Sequence, residues 1–309
     1  MPGHDEYRFH VAQKAVVDVY VSASNARIEW PYRLETVEEA RESTRQTAVE
    51  YILDSGMGHG TAPAEILDEA ERRDADYVIP DDQLADREKD LDKDAIHTTA
   101  DETARFLDEA ARRDFDGTIL IPLQPPHDHH YRYLCSHFPR QAQHTHFCVG
   151  GLKGAAPEAQ ITAVQRLREL VGYEAYLHGL GFGAGREVVD ALRTTPRLLD
   201  SVDISTPQQN ARNGKFAGSV RDQVNFGQPQ NTASSIEIGA VGTAELVGIA
   251  RALAPSLTDP RNLNEPINAT ADDDTHTITG EADTTSPPPA ITRPDDGTDH
   301  PSAEQLSSF

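Results

Sequence analysis

Polar residues and glycines follow several short apolar runs along the chain, and these positions could carry chemistry. They are Asp54, Asp81 with Asp82, Gln124, Gly150 with Gly151, His178 with Gly179, and Asp203. A carboxylate can act as a nucleophile or move a proton, and an amide group or an accessible glycine backbone can hydrogen-bond to a ligand. An isolated aspartate at a strand end often only caps the next helix. The importance of these residues therefore depends on whether the fold brings them together.

Repeated strand–helix units are expected to position these residues. Short apolar runs alternate with amphipathic stretches, which indicates βα units and a parallel sheet. Residues 68–80 and 108–122 read DEAERRDADYVIP and DEAARRDFDGTILIP, each a helix end followed by a strand. We predict strands at residues 15–21, 50–53, 77–79, 118–122, 145–149, 175–177, 199–202 and 236–238, the last followed by a helix over 244–253. Predicted helix starts lie at Thr61 with Pro63, at Asp101 and at Pro157.

The predicted fold is an α/β fold, a (β/α)8 TIM barrel over residues 1–267. In a barrel the carboxyl ends of the strands meet at one mouth, so polar residues far apart in sequence would line one pocket. A doubly wound open sheet also binds ligands at its strand ends, and the periodicity does not distinguish the two architectures. Residues 268–309 are rich in Thr, Asp, Ser and Pro and lack an apolar period, which predicts a disordered acidic tail.

The charge balance is strongly acidic. The 309-residue chain has 51 acidic and 28 basic residues, a formal net charge of −23, which resembles the composition of proteins from salt-loving organisms. At about 1 M salt the Debye length is only about 3 Å, so this charge does not exclude a polyanionic partner. The chain has no run of about 20 apolar residues and its first residues do not resemble a signal peptide, so we expect a cytoplasmic protein without membrane contact.

Metal binding is not expected. Cys135 and Cys148 are too few for a thiolate zinc site or a disulfide framework. The run HDHH at residues 127–130, with His144 and His146 later, invites a metal interpretation. Adjacent histidines on a loop seldom point at one ion, so we predict that these histidines are solvated surface residues.

Several motifs together resemble one enzyme family. The run DISTPQQNARNG from Asp203 to Gly214 resembles the signature of queuine and archaeosine tRNA-guanine transglycosylases, in which a nucleophilic aspartate precedes a proline and an Asn-Ala-Arg-Asn-Gly loop. The segment LDSG ending at Gly56 is similar to the family's Asp-Ser-Gly-Gly segment. Gln124, the Gly-Gly-Leu run at 150–152 and the Leu-His-Gly-Leu-Gly run at 177–181 follow in family order. Such ordered motifs over residues 50–216 are far more specific than any one alone.

The resemblance implies a pentosyltransferase that exchanges a base. Asp203 would attack the anomeric carbon, expel guanine and hold the sugar covalently until a second base displaces it, while Asp54 would handle protons. No cofactor is implied. His178 lies where the family has an apolar wall of the base pocket, so it would stack on a base or be a core histidine. The implied base-binding residues are Ser55, Gly56, Asp81, Asp82, Gln124, Gly150, Gly151, Leu152 and His178, and the implied nucleic-acid contacts are Asn210, Arg212, Asn213 and Lys215.

The sequence also departs from the family. No cysteine follows Cys148, so the zinc subdomain that helps to grip tRNA is missing, and Gly56 is followed by Met57-Gly58-His59 instead of glycine and an aromatic residue. The remaining barrel resembles the DNA-modifying branch, which inserts 7-deazaguanine bases such as 7-cyano-7-deazaguanine, alone or with a helper protein. The alternatives are a compact tRNA transglycosylase, a non-catalytic nucleic-acid-binding subunit, and a metal-dependent hydrolase built on the His127 cluster. Retention of both Asp54 and Asp203 argues against a non-catalytic subunit.

Overall fold

The computed structural model describes most of the chain up to residue 254. The described residues are 4–22, 27–56, 58, 60–86, 91–183, 185–195, 197–213, 215–216, 224–225 and 234–254. All of them belong to one compact unit, Met1–Asn264. The predicted tail at 268–309 lies outside the described residues, so that prediction stays open.

A nearly closed parallel barrel forms the centre of the fold. Among the described residues its strands are β1 (Asp18–Ser22), β2 (Tyr32–Thr36), β3 (Glu50–Asp54), β4 (Tyr77–Ile79), β5 (Thr118–Ile119), β6 (Ile121–Leu123), β7 (His146–Val149), β8 (Tyr176–Gly179) and β9 (Ser201–Ile204). Their order is β5-β4-β3-β2-β1-β9-β8-β7-β6. Only Leu120 separates the two end strands in sequence, and its N–H donates to the Val78 carbonyl of β4 at 2.9 Å. The sheet therefore curves back on itself.

Helices surround this barrel and mostly follow its strands in sequence. Within the described part of the chain they are α1 (His4–Gln13), α2 (Glu42–Arg45), α3 (Pro63–Arg73), α4 (Lys93–Arg112), α5 (His127–His137), α6 (Pro139–Ala142), α7 (Pro157–Val171), α8 (Arg186–Thr194), α9 (Thr206–Arg212) and α10 (Ser235–Leu253). Two short strands, β10 (Lys215–Phe216) and β11 (Val224–Asn225), form a separate antiparallel pair. No described helix is long and apolar enough to cross a membrane.

The alternation of side chains along a strand explains how one strand contributes both to the apolar core and to the candidate site. On β3, Tyr51 and Leu53 pack with Phe106 in a cluster on the helix side, whereas Ile52 packs in the main core. Successive side chains of a strand point to opposite faces, so Asp54 shares the face of Ile52. The apolar part of each strand thus fixes the direction in which its polar end points.

Several sequence predictions need correction. The strand predicted at 236–238 is wrong, because these residues lie in the first turns of α10, where Ser234 and Glu237 form a reciprocal capping box. The helix predicted over 244–253 is the second half of the same α10. The helix start predicted at Asp101 is also wrong, since α4 already begins at Lys93 and the Asp92 side chain accepts from Ala95 N–H. Strand β2 had not been predicted. The other predicted strands are confirmed, with shifted ends and with residues 118–122 divided between β5 and β6.

The histidine cluster at 127–130 is not a surface loop. It forms the first turn of α5, and His127 and His130 are buried. The prediction that these two side chains are solvated is therefore wrong, because they face inward from the helix and hydrogen-bond to backbone groups of the strand ends.

Candidate active site

Asp203 lies near the carboxyl end of β9 and is buried. Its Oδ1 accepts a hydrogen bond from Gly181 N–H and lies 3.7 Å from His178 Nε2. A cavity of about 280 Å³ adjoins the carboxylate, and its lining includes Ser22, Thr36, Lys153, Ser205, Gln208 and Arg212. The carboxylate thus stands at the wall of an open space whose charged lining also contains two cationic side chains, Lys153 and Arg212, and two acidic ones, Glu35 and Glu39.

Asp54 ends β3 and is half-buried. Its Oδ1 accepts from Gly56 N–H at 3.1 Å, and the neighbouring Ser55 N–H donates to the Ile79 carbonyl at 3.1 Å. Gly56 has a φ of +84°, a conformation that favours glycine. The Asp54-Ser55-Gly56 segment therefore makes a sharp, hydrogen-bonded turn at the barrel rim.

Asp82 and Gln124 form a buried polar pair. Gln124 Nε2 donates to Asp82 Oδ2, and Gln124 Oε1 accepts from Ala85 N–H at 3.4 Å. Burial, followed by repulsion from Asp54 and Asp81, raises the pKa of Asp82 to about 7. This carboxyl group is therefore partly protonated near neutral pH, and it can both donate and accept hydrogen bonds.

Glycines make room beside this pair. A Cβ on Gly150 would lie 3.1 Å from Gln124 Nε2 and 3.6 Å from Asp82 Oδ2. Gly151 has a φ of +72°, and a Cβ there would approach Pro125 Cδ to 2.6 Å. Leu152 is buried, and its carbonyl accepts from Gln160 Nε2 at 2.9 Å. The Gly-Gly-Leu segment is thus held tightly against the Gln124 loop.

Asp81 points to a different partner from Asp82. Its Oδ2 accepts from Gly60 N–H at 3.0 Å, and its Oδ1 is buried without a hydrogen-bond partner. Of the two aspartates suggested by the sequence, Asp82 is therefore the one that contacts Gln124.

The carboxylates converge around Cys148 of β7. This thiol is fully buried, and its pKa is raised well above the usual range by burial and then by the charges of Asp82, Asp54 and Asp203. Residues from three separate strand ends thus act on a single atom. Asp54 and Asp203, which are 149 residues apart in the sequence, thus lie at the same end of the barrel.

Two buried histidines of α5 support the site, a role that the sequence pattern did not predict. His127 Nε2 lies 2.8 Å from the Gly150 carbonyl oxygen, and His130 Nδ1 accepts from Gln124 N–H at 2.8 Å. Burial lowers the pKa of His127 to about 4 and that of His130 to about 3. Both imidazoles are thus neutral at pH 7. Their spacing of three residues, which places them on one helix face, was the available signal.

The predicted nucleic-acid contacts have different surroundings. Arg212 lines the cavity beside Asp203, whereas Asn210 is buried and donates through Nδ2 to Glu245 Oε1 at 2.6 Å. Asn213 follows the end of α9, with its N–H bonded to the Gln209 carbonyl, and the Lys215 side chain is outside the described part. Lys153, directly after the Gly-Gly-Leu run, was not predicted although it lines the same cavity.

Other parts of the described structure offer less for chemistry. No group of three or more His, Cys, Asp or Glu among the described residues could hold a metal ion. A larger cavity of about 590 Å³ lies between α4 and the α5–α6 region, but its lining contains none of the candidate site residues named above. A scan against protein-family models gives no match, and a search of curated proteins finds no significant similarity.

Proposed function

We propose that this protein is a base-exchange glycosyltransferase that replaces guanine in a nucleic acid, preferably DNA, by a 7-deazaguanine base such as 7-cyano-7-deazaguanine. The observation that carries the proposal is the position of Asp203, a buried carboxylate at the wall of a cavity that also contains Lys153 and Arg212. Asp54 and Asp82 at the same barrel end supply further carboxyl groups. In this interpretation β5 and β6 count as one strand of a (β/α)8 barrel interrupted at Leu120.

The chemistry has two displacement steps. In the first, Asp203 forms a bond to C1′ of the nucleoside as the bond from C1′ to N9 breaks, and guanine leaves with the electron pair and takes a proton. In the second, the incoming base loses its proton and its nitrogen attacks C1′, which releases the Asp203 carboxylate. We assign both proton transfers to Asp54, whose half-buried carboxyl group is hydrogen-bonded to Gly56.

Base recognition is assigned to the Asp82–Gln124 pair. A purine edge presents donors and acceptors side by side, and a partly protonated carboxyl next to an amide can match both. The backbone of Gly150 can approach a base closely because it has no side chain. A guanine in a duplex must be flipped out to reach this depth, which costs a few kcal/mol and is offset by contacts in the pocket.

Contact with the nucleic-acid backbone is assigned to the two cationic residues of the cavity lining. Lys153 and Arg212 can contact phosphates, contacts that position the polymer without reading its sequence. The strongly acidic remainder of the chain would repel a polyanion in dilute buffer, and salt weakens this repulsion. We therefore expect activity at high ionic strength.

The test is incorporation of labelled guanine at high salt. Duplex DNA, single-stranded DNA and tRNA are each incubated with the protein and radiolabelled guanine, and the label in the polymer is measured. We expect DNA to take up label with the wild-type protein and with Asp190→Asn, an exposed carboxylate on α8, but not with Asp203→Asn. Label in tRNA alone would favour a compact tRNA transglycosylase, and no label in any polymer would contradict the proposal.

A further inference from the structure

His178 is a buried side chain that has no role in the reaction steps proposed above. Its side chain is fully enclosed, and its Nε2 atom has no hydrogen-bond partner. A buried polar atom without a partner destabilises the protein, because it has lost its hydrogen bonds to water. The nearest charged group is Asp203, whose Oδ1 lies 3.7 Å from Nε2. The unpartnered atom thus faces the residue that is proposed to attack the sugar.

The strand register places His178 beside Asp203. His178 of β8 pairs with Ser201 of β9, and Asp203 lies two residues further along β9, on the same face as Ser201. The ring of Tyr20 packs edge-on against the imidazole, with centroids 5.6 Å apart. The Tyr20 ring and the pairing of the two strands thus restrict the orientation of the imidazole.

A hydrogen-bond chain through Ser201 connects Tyr176 to His178. Tyr176 Oη donates to Ser201 Oγ at 2.7 Å, so the single proton of the Ser201 hydroxyl is available for its other partner. That partner is His178 Nδ1, also at 2.7 Å. If Nδ1 accepts this proton, a neutral imidazole carries its own proton on Nε2. This Nε2–H group then lies 3.7 Å from Asp203 Oδ1.

We propose that His178 is a positioning residue that directs Asp203 through its Nε2–H group, an inference that rests on the proposed function. Gly181 N–H donates to Oδ1, and His178 Nε2 lies 3.7 Å from the same atom, close enough to form a second hydrogen bond after a small shift during the reaction. Oδ2 is then the oxygen that forms the bond to the sugar. These two donors favour the free carboxylate over the glycosyl ester, because a charged acceptor binds donors more strongly than a neutral one. His178 therefore speeds the release of Asp203 when the second base displaces it.

The test separates release of the adduct from its formation. In His178→Phe the donor is lost while a ring is retained, and we expect kcat to fall about 10²-fold. The ratio kcat/KM for the nucleic acid should not fall, because it reports only the steps up to formation of the adduct. The fraction of protein trapped as a denaturant-resistant adduct should rise. His178→Gln, which keeps an N–H near the same place, should restore part of the turnover. The matched control is His146→Phe, because His146 packs on the same Tyr176 ring but does not contact Asp203.

A parallel loss of adduct and turnover in His178→Phe, or no change in either, would overturn the proposal. The tautomer provides a readout that does not depend on catalysis or on the folding of that variant. Nitrogen NMR of the full-length wild-type protein should show His178 protonated at Nε2, with the resonance assigned by its shift in Ser201→Ala. Protonation at Nδ1 would overturn the assignment. Absence of base exchange in the wild-type protein would instead contradict the proposed function. The NMR measurement would still show whether His178 Nε2 carries the proton that it is proposed to donate to Asp203.

Discussion

At the scale of single residues, Asp203 and Asp54 differ in surroundings and should differ in mutational effect. Asp203 is enclosed and held at Oδ1 by Gly181 N–H, whereas Asp54 lies half-buried at the rim. Asp203→Asn should abolish both exchange and the covalent adduct, because an amide is a poor nucleophile. Asp54→Asn should slow exchange about 10²- to 10⁴-fold, the usual range for a lost proton transfer, while some adduct still forms. A denaturing gel of protein with DNA distinguishes the two, and adduct formation by Asp203→Asn would show that another group attacks.

The Asp82 carboxyl group should lower the stability of the folded protein at neutral and higher pH, although it is needed for the proposed base binding. Its pKa is about 7 in the folded protein, against an ordinary value of 3.8, chiefly because of burial. The folded state thus keeps a proton that the unfolded chain releases, so the free energy of unfolding declines as pH rises from about 4 through about 7. Asp82→Asn removes this loss and should stabilise the protein at pH 8 by roughly 1–4 kcal/mol, because each pH unit between the two pKa values corresponds to about 1.4 kcal/mol. The same substitution should weaken base exchange.

Denaturant unfolding at pH 4.5 and pH 8 provides the measurement for Asp82→Asn. The gain should appear at pH 8 and be much smaller at pH 4.5, where the wild-type carboxyl is already protonated. Asp108→Asn, which removes an exposed carboxylate on α4, serves as the control for a change in net charge. An equal gain at both pH values would show that burial of a charge at Asp82 is not the cause.

At the scale of elements, the sequence predicted most of the strands but few of the contacts that their polar ends make. The apolar runs of β3, β4 and β7 are short and continuous, and the polar residues after them identified the strand ends. Strand β2 escaped prediction because Arg33 and Glu35 interrupt it, although both are buried. Residues 236–238 contain two isoleucines around a glutamate, a pattern shared by strands and helices. The preceding capping-box sequence was the signal that could have separated these alternatives.

The partners of the site residues depended on geometry that a single sequence does not carry. Alternation predicts that Asp203 and Ser201 share a face, but the pairing of Ser201 with His178 needs the register between β8 and β9. Likewise, adjacent Asp81 and Asp82 must point apart on an extended backbone, yet the sequence does not say which one meets Gln124. The inward direction of His127 and His130 required the orientation of α5 relative to the barrel.

Helix α5 should make the site sensitive to acid. The pKa values of His127 and His130 are lowered to about 4 and about 3 because burial disfavours the charged imidazole. Below pH 6.5 the unfolded chain takes up protons that the folded protein does not, so the free energy of unfolding should fall by up to about 1.4 kcal/mol per pH unit for each histidine. Above pH 6.5 this contribution is constant. The measurement is denaturant unfolding of the wild type and of the double variant His127→Gln/His130→Gln at pH 7.5 and pH 5. The double variant should lose less stability between these pH values than the wild type. His137→Gln, on the exposed face of α5, is the control and should lose as much stability as the wild type.

At the scale of the whole molecule, the net charge of −23 should make stability depend on salt. Like charges on a folded surface repel one another, and the repulsion is weaker in the expanded unfolded chain. Salt shortens the Debye length from about 10 Å at 0.1 M to about 3 Å at 1 M, so it relieves this repulsion. We expect the thermal unfolding midpoint to rise by several degrees between about 0.1 M and 1 M KCl, mostly at the lower concentrations, where screening changes fastest.

The measurement should separate screening from a general effect of salt on apolar burial. KCl is compared with an uncharged osmolyte at matched water activity, because exclusion from the surface would stabilise the protein in both solutions. A triple variant with Glu71→Gln, Asp108→Asn and Glu169→Gln removes three exposed carboxylates that form no ion pair among the described residues. It should be more stable than the wild type at 0.1 M KCl and no more stable at 1 M. A midpoint that responds equally to KCl and osmolyte would assign the effect to solvent exclusion, and the acidic surface would then have no measurable role in holding the barrel together.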